Sequence, residues 1–586
     1  MWWFSRFGWL AAAGLLAVAP LPGVEFFPLG DVRAGQRGSG RTVFSGGQVE
    51  EFGVEILGVL ENAGPRQSLI LARLSGGPIE RTGVMQGMSG SPVYIDGKLA
   101  GAVAMTFAYS KEPIAAIRPI EEMVAATGAA RARRFPAGLF DGELLAGLPP
   151  PASALFGENR LTDVATPVSF AGFTPATIET FAPKLRALGL EPVQGLAGGG
   201  RPRQGSGQPL EPGAMISVML VTGDLSIAAD GTLTHVDGNR IWAFGHRFLA
   251  IGPAEMPFAR SEVLALLPSV ATSFKISQAK EIVGTIVDDR SAAVAGEIGR
   301  QAAMVQVALR VAGDGPATRS YAMEMVRDPL LAPFLLQMLI FSAVDATERT
   351  SGASSVSIRG TIELDGVRDP VAVDNIYSAD AGSAAAAALS TALPLAYVLQ
   401  SGFQGVFPRR VDLDIRSAPE KRLWQIASAL PVRAKVRPGE TAAITVELRG
   451  DRGAVRTETV HYTVPAGLAA GPLYVTVADA MTINLIELRG LVTTPPRSAD
   501  HAVSVANRLR GNGNAYVRVW RAQTAYQYNG LDYSAPPASL AALFARAQKL
   551  DGALTATYQS KLAEFEIDGG GAAVSGSRTI QMEVTE

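Results

Sequence analysis

Between Thr42 and Val103 apolar residues recur at every second position and turn residues break the pattern, which commits this stretch to short β-strands. Phe52, Val54, Ile56 and Leu60 alternate along one strand, and Ser68 to Leu74 supplies the next apolar run after a Gly64-Pro65 turn. Val93-Tyr94-Ile95, Asp96-Gly97 and Leu99 to Val103 predict a hairpin, because Asp-Gly tolerates the positive φ angles of a tight turn. Pro119 is placed to open a short helix through Ala126.

At 586 residues the chain exceeds what one hydrophobic core organises. It divides into an N-terminal leader or anchor over 1–22, a β unit over 23–134 and a Gly/Pro/Ala-rich linker region over 135–212 that contains Gly198-Gly199-Gly200. A second β-rich unit follows over 213–425, in which Asp230-Gly231 and Asp237-Gly238 predict two turns leading to Phe244-Gly245-His246. Strands around Pro438-Gly439 and Asp451-Arg452-Gly453 have the spacing of a β-sandwich over 426–495. A small α+β region over 496–586 completes the chain, with helices over Ala499 to Leu509 and Ser539 to Lys549 and a strand over Ala515 to Trp520. The fold class is therefore mainly β with short helices. The apolar stretches Leu330 to Val344 and Ala384 to Leu399 are short and interrupted by Pro333 and Pro394, so both read as buried helices.

Composition removes several function classes. The 52 basic and 54 acidic residues nearly balance, which leaves no long-range attraction to nucleic acid or to acidic lipid. Absence of cysteine excludes disulfides, thiolate metal sites and a cysteine nucleophile. Neither a cofactor nor a metal is expected: Asp288 and Asp289 project to opposite sides of a strand, and Arg290 is at hand to neutralise one of them. Arg6, the apolar run Phe7 to Ala19 and the prolines Pro20 and Pro22 have the layout of a secretory signal, with Ala17 and Ala19 as the small residues before a cut. Pro20 would discourage that cut and leave the segment as an anchor, which confines membrane contact to this segment. The expected location is the periplasm, the cell envelope or the medium. Nothing in the sequence fixes an oligomeric state.

The sharpest local feature is Gly87-Met88-Ser89-Gly90-Ser91-Pro92, set between β runs. Small flanking residues let the backbone bend so that the Ser89 hydroxyl projects outward and the N–H groups of Gly87 and Ser89 converge on one point. Such a point suits the oxyanion of an acyl-transfer intermediate. The plainer alternative is a Gly-Ser-Gly turn between strands, which explains the glycines but explains the full six-residue string less well. A serine nucleophile needs a base, and the chain has only four histidines, His235, His246, His461 and His501. Their alternative role is structural, as histidines bonded to neighbouring backbone.

The string resembles the nucleophile segment of SpoIVB-type serine peptidases, bacterial endopeptidases related to the chymotrypsin-like clan. Val84-Met85-Gln86 before it and Val93-Tyr94-Ile95-Asp96-Gly97-Lys98 after it share the likeness, which extends over Thr42 to Thr127. The resemblance implies chymotrypsin-like β-barrel units, Ser89 as nucleophile, and the amides of Gly87 and Ser89 as oxyanion donors. The stretch Gly231 to Gly252 around Ala243-Phe244-Gly245-His246 resembles the segment in which the family keeps its histidine, which makes His246 the implied general base. Two departures stand out. In the family the histidine precedes the serine, whereas here Ser89 precedes His246. Where the family places an aspartate before the nucleophile, this chain reads Leu74-Ser75-Gly76-Gly77-Pro78; Asp224 and Asp237 lie nearer His246 in sequence and could orient it, and each is equally well a turn residue.

The expected function is an exported serine endopeptidase acting on a protein or peptide of the cell envelope. The alternative is a catalytically degenerate peptidase-like envelope protein that serves as a binding or scaffold module.

Overall fold

A computed structural model of the chain describes residues 24–64, 67–107, 110–127, 161–195, 202–205, 209–270, 272–313, 315, 317–347, 352–492, 496–528, 531–534, 536–547 and 554–586. The expected leader and Gly198-Gly199-Gly200 lie outside the described residues. The fold is mainly β, with 53% strand against 18% helix.

The period-two pattern of the N-terminal unit closes into a barrel. Its strands are β1 (Arg37–Val43), β2 (Val49–Gly64), β3 (Gln67–Ser75), β4 (Pro92–Ile95), β5 (Lys98–Phe107) and β6 (Ile114–Pro119). Antiparallel ladders join them in the cyclic order β1-β2-β3-β6-β5-β4, and β4 returns to β1. Phe52, Val54 and Ile56 point inward from β2 and meet Ile70, Leu74 and Ile117, as alternation requires. The expected hairpin turn is present, with Asp96 and Gly97 at φ 49° and 76°. The helix Ile120–Ala126 starts directly after Pro119. The short strand Leu161–Asp163 adds to β5, setting Asp163 opposite Met105.

A second barrel repeats this connectivity. It consists of β7 (Met215–Gly223), β8 (Ser226–Asp237), β9 (Arg240–Ala243), β10 (Gly252–Leu267), β11 (Phe274–Asp289) and β12 (Val294–Ile298). The ladders run in the cyclic order β7-β8-β9-β12-β11-β10, and β10 closes onto β7. Counted from its own first strand, each barrel therefore reads first, second, third, sixth, fifth, fourth, the chymotrypsin-like arrangement. One expected turn is corrected here. Asp230-Gly231 lies inside β8 rather than between strands. Asp230 is buried and accepts from Ser169 Oγ at 2.9 Å and from Ser217 Oγ. Gly231 is glycine because the Phe244 ring lies against it, 2.3 Å from where a Cβ would stand.

Part of the expected linker is structured. The strands Thr166–Ala171 and Leu190–Gln194 extend the sheet beyond β8, bridged by the helix Pro175–Arg186, which Thr174 caps through Thr177 N–H. Phe170, Phe181 and Leu185 anchor this piece in the core, and their scattering among Gly, Pro and Ala had hidden the apolar pattern. The two apolar stretches form the helices Leu331–Asp345 and Ser383–Gln400, which pack together. The second is long and apolar enough to cross a membrane by length and composition, and half of it is buried in the fold.

Among the described residues from Leu423 onward, strands of the expected sandwich and of the expected α+β region share two sheets. The final strands Ala573–Ser575 and Ser577–Val584 join one sheet each, and both sheets share a core of Ile444, Val446, Val475, Val517, Val519 and Met582. Each sheet is completed by strands from the end of the chain, which local pattern could not reveal.

Candidate active site

Ser89 lies in the connection between β3 and β4, the third and fourth strands of its barrel. Gly87 and Gly90 take φ of 89° and 93°, which bends the loop twice within four residues. Within the bend Met88 N–H donates to Met85 O, Gly90 N–H to Val103 O at 2.7 Å and Ser91 N–H to Met88 O. Among the described residues neither the Gly87 nor the Ser89 N–H has an acceptor. The expectation that the Ser89 hydroxyl projects outward is corrected: the residue is fully buried and its Oγ has no hydrogen-bond partner. The second barrel is what covers it.

His246 occupies the matching connection of the second barrel, between β9 and β10. Phe244, Gly245 and Ala250 all have positive φ, of 71°, 71° and 55°, an arrangement that stores strain in this loop. Asp289 restrains it. Buried at the end of β11, its carboxylate accepts from the N–H groups of Phe248 at 2.9 Å, Leu249 at 2.7 Å and Ile251 at 3.3 Å, while burial pushes its pKa up to about 6. Asp288 projects the other way and pairs with Arg290 at 2.6 Å. The imidazole is oriented by Arg247 O, 2.6 Å from His246 Nδ1. A carbonyl only accepts, so the proton is on Nδ1 and Nε2 carries the lone pair. Nε2 is buried without a partner. Burial holds the His246 pKa below the ordinary histidine value, and the charge of Asp163 partly opposes this.

The serine loop locks onto β8 of the second barrel, and the histidine loop packs beside it. Thr232 N–H donates to Ser89 O at 2.8 Å, Thr232 Oγ1 to Gly87 O at 2.8 Å, and Thr234 Oγ1 to Gly90 O at 2.7 Å. A Cβ on Gly245 would come within 3.0 Å of Val103 O, so the histidine loop presses on β5 just behind the serine. The structure thus brings the Ser89 and His246 segments into one seam, although no hydrogen bond joins the two side chains. Asp224 and Asp237 are placed elsewhere. Asp224 accepts from Ala322 N–H at 2.7 Å, and Asp237 is the exposed last residue of β8, where its charge acts on His235. His235 stacks on Trp242, and His501 Nδ1 accepts from Arg497 N–H at 3.3 Å. Sequence reasoning missed Thr232, Thr234 and Asp163. The threonines look like ordinary strand residues, and Asp163 fell in the expected linker.

Family comparison bears on the first barrel. Residues 30–123 match SpoIVB peptidase S55. The first barrel is thus similar to SpoIVB-type peptidases. No curated protein and no solved structure matches the chain. The SpoIVB-type match includes Gly87 and Ser89 and ends before the second barrel, so the place of His246 rests on the repeated connectivity and on the close approach of Gly245 to Val103 and of Gly90 to Phe244. That repetition accounts for the reversed order of serine and histidine: two barrels of the same connectivity present equivalent loops to each other whichever comes first in the chain.

Asp163 is the carboxylate whose field acts on the imidazole. Asp163→Asn is therefore expected to lower the His246 pKa further and to move the acid limb of any His246-dependent rate to lower pH. With less stabilisation of the imidazolium, the rate at neutral pH should fall by roughly three- to tenfold. A pH profile of covalent capture at Ser89 checks this; an unmoved limb would remove Asp163 from the site.

Proposed function

We propose that the paired barrels form a serine endopeptidase of the SpoIVB type that acts on a protein or peptide substrate in the bacterial cell envelope, to which the segment over 1–22 directs it. One observation carries this reading: Ser89 Oγ, His246 Nε2 and the N–H groups of Gly87 and Ser89 are all without hydrogen-bond partners at a seam where loops of two barrels meet. Buried polar groups are nearly always satisfied, so a cluster left open is a place kept for a ligand.

In the proposed reaction Ser89 Oγ bonds to the scissile carbonyl carbon as its proton passes to His246 Nε2. The oxygen that gains the electron pair lies against the N–H groups of Gly87 and Ser89. Collapse of this intermediate breaks the C–N bond, and the imidazolium returns the proton to the leaving amine. Water then repeats the sequence to release the acyl group. Arg247 O does the orienting that a carboxylate does in the Ser-His-Asp arrangement.

The test is capture by a fluorophosphonate. Native protein is expected to gain one adduct on the peptide containing Ser89, and unfolded protein none. His246→Ala should slow capture by about a thousandfold. Failure of the native protein to react at any pH would sink the proposal. The scaffold reading has one observation in its favour, the complete burial of Ser89; it predicts no adduct, with partner capture from envelope extract unaffected by His246→Ala.

A further inference from the structure

Lys275 is the second residue of β11, on an arm that β10 and β11 extend from the second barrel across the first. The arm bonds reciprocally to the β1–β2 turn, Gly46 N–H to Val263 O at 2.8 Å and Val263 N–H to Gly46 O at 2.7 Å. It then runs beside the serine loop, where Gln86 N–H donates to Ser273 O at 2.9 Å and Lys275 N–H donates to Gln86 O at 3.2 Å. Ser273 Oγ adds a bond to Thr82 O. The Lys275 stem lies along Gly87, so that a Cβ there would stand 3.2 Å from its Cδ and 3.4 Å from its Cγ. Its Nζ donates to Thr42 Oγ1 at 2.7 Å, and Thr42 Oγ1 also accepts from Ser91 Oγ at 3.1 Å. One side chain therefore grips the nucleophile loop on both sides of Ser89.

An ammonium carries three donors, and among the described residues Thr42 Oγ1 is the acceptor within reach of this one. Lys275 is 2% exposed. Burial pulls its pKa down to about 7, with Glu50 on β2 acting the other way. The other charged groups on the packed strands are occupied: Arg41 pairs with Glu51, Glu262 pairs with Lys280, and buried Asp230 is held by Ser169 and Ser217. The serine loop from Gln86 to Pro92 has no titratable side chain.

Building on the peptidase reading, we propose that Lys275 is a positioning residue for the nucleophile loop, and that its neutral amine, seated on Thr42, holds Gly87 and Ser91 at the spacing the oxyanion site requires. Once protonated, the amine must find further acceptors or water, and it draws away from Thr42 and shifts the loop. Activity then falls as the pH drops through the Lys275 transition, above the limb set by His246.

The experiment uses the full chain and a fluorophosphonate probe. Capture by wild type is expected to decline as the pH falls through about 7. Lys275→Met should be about tenfold slower at alkaline pH and lack that decline, because it has no proton to gain. Lys275→Arg, charged throughout, should be slower still at every pH. A Lys275→Met profile with the wild-type decline, or Lys275→Arg reacting as fast as wild type, would overturn the proposal. Hydrogen exchange of the peptide spanning 84–92 decides the matter without chemistry: corrected for intrinsic rates, protection should drop below about pH 7 in wild type and stay level in Lys275→Met. Equal behaviour in the two proteins would also overturn it. Wild type that takes no label at any pH defeats the peptidase reading, while the exchange result still judges Lys275.

A linked stability measurement follows from the sign of the shift. Between about pH 7 and 10.5 the unfolded chain binds a proton at Lys275 that the folded chain does not, so wild-type stability should rise with pH across this window. Lys275→Met should lack that rise in urea unfolding.

Discussion

Ser89→Ala is expected to abolish fluorophosphonate capture and to reduce peptide hydrolysis by on the order of a millionfold, while leaving the protein about 1 kcal/mol more stable. Both halves follow from the same atom. The Oγ is the sole nucleophile proposed for the seam, and the chemistry has no substitute for it. It is also buried without a hydrogen-bond partner, so the folded state carries the desolvation cost of a hydroxyl and gains no bond in return. Alanine removes the unmatched oxygen and leaves the strand bonds around it intact. Urea unfolding of the two proteins, beside their labelling rates, provides the measurement. A variant that is less stable than wild type by more than about 1 kcal/mol would mean that the hydroxyl holds the loop together, and the serine would be structural.

Gly90→Ala is expected to cost about 4 kcal/mol or more and to end capture at Ser89 as well. The new Cβ would stand 2.0 Å from Thr232 O and 2.5 Å from Phe244 N, both backbone atoms of the second barrel. A flexible side chain could move aside; the backbone of β8 and of the loop that leaves β9 cannot. Gly90 also holds φ at 93°, a region that costs an alanine roughly 1–3 kcal/mol even in open space. Relief requires the barrels to separate, which loosens Thr232 N–H to Ser89 O and Thr234 Oγ1 to Gly90 O, each bond contributing about 1 kcal/mol. Unfolding midpoints test the size of the effect. A loss under about 1 kcal/mol would show that the barrels do not meet as described.

These two positions show what was legible beforehand. The Gly87 to Pro92 string announced a tight bend, because glycine at positive φ is a local requirement visible in the residues themselves. Why Gly90 tolerates no side chain was not legible, since the obstructing atoms belong to Thr232 and Phe244. The same division runs through the fold. Alternation along β2 and the Asp96-Gly97 turn were read directly, whereas Asp230-Gly231 was read as a turn and proved to be strand interior, where the Phe244 ring replaces the missing side chain. The acid shows the limit most clearly. Asp224 and Asp237 are close to His246 along the chain and act elsewhere, while Asp163, far away in sequence, reaches the imidazole with its field.

The sequence by itself determined the strand-rich class, the glycine-built bend around Ser89 and the short list of histidines, because steric preference and residue chemistry act between near neighbours. The tertiary structure alone decided that Ser89 is buried, that His246 is the histidine across the seam from it, and that Lys275 underpins the loop. Burial and juxtaposition depend on distances through space, and the bonds that fix this seam join residues 145 and 233 positions apart.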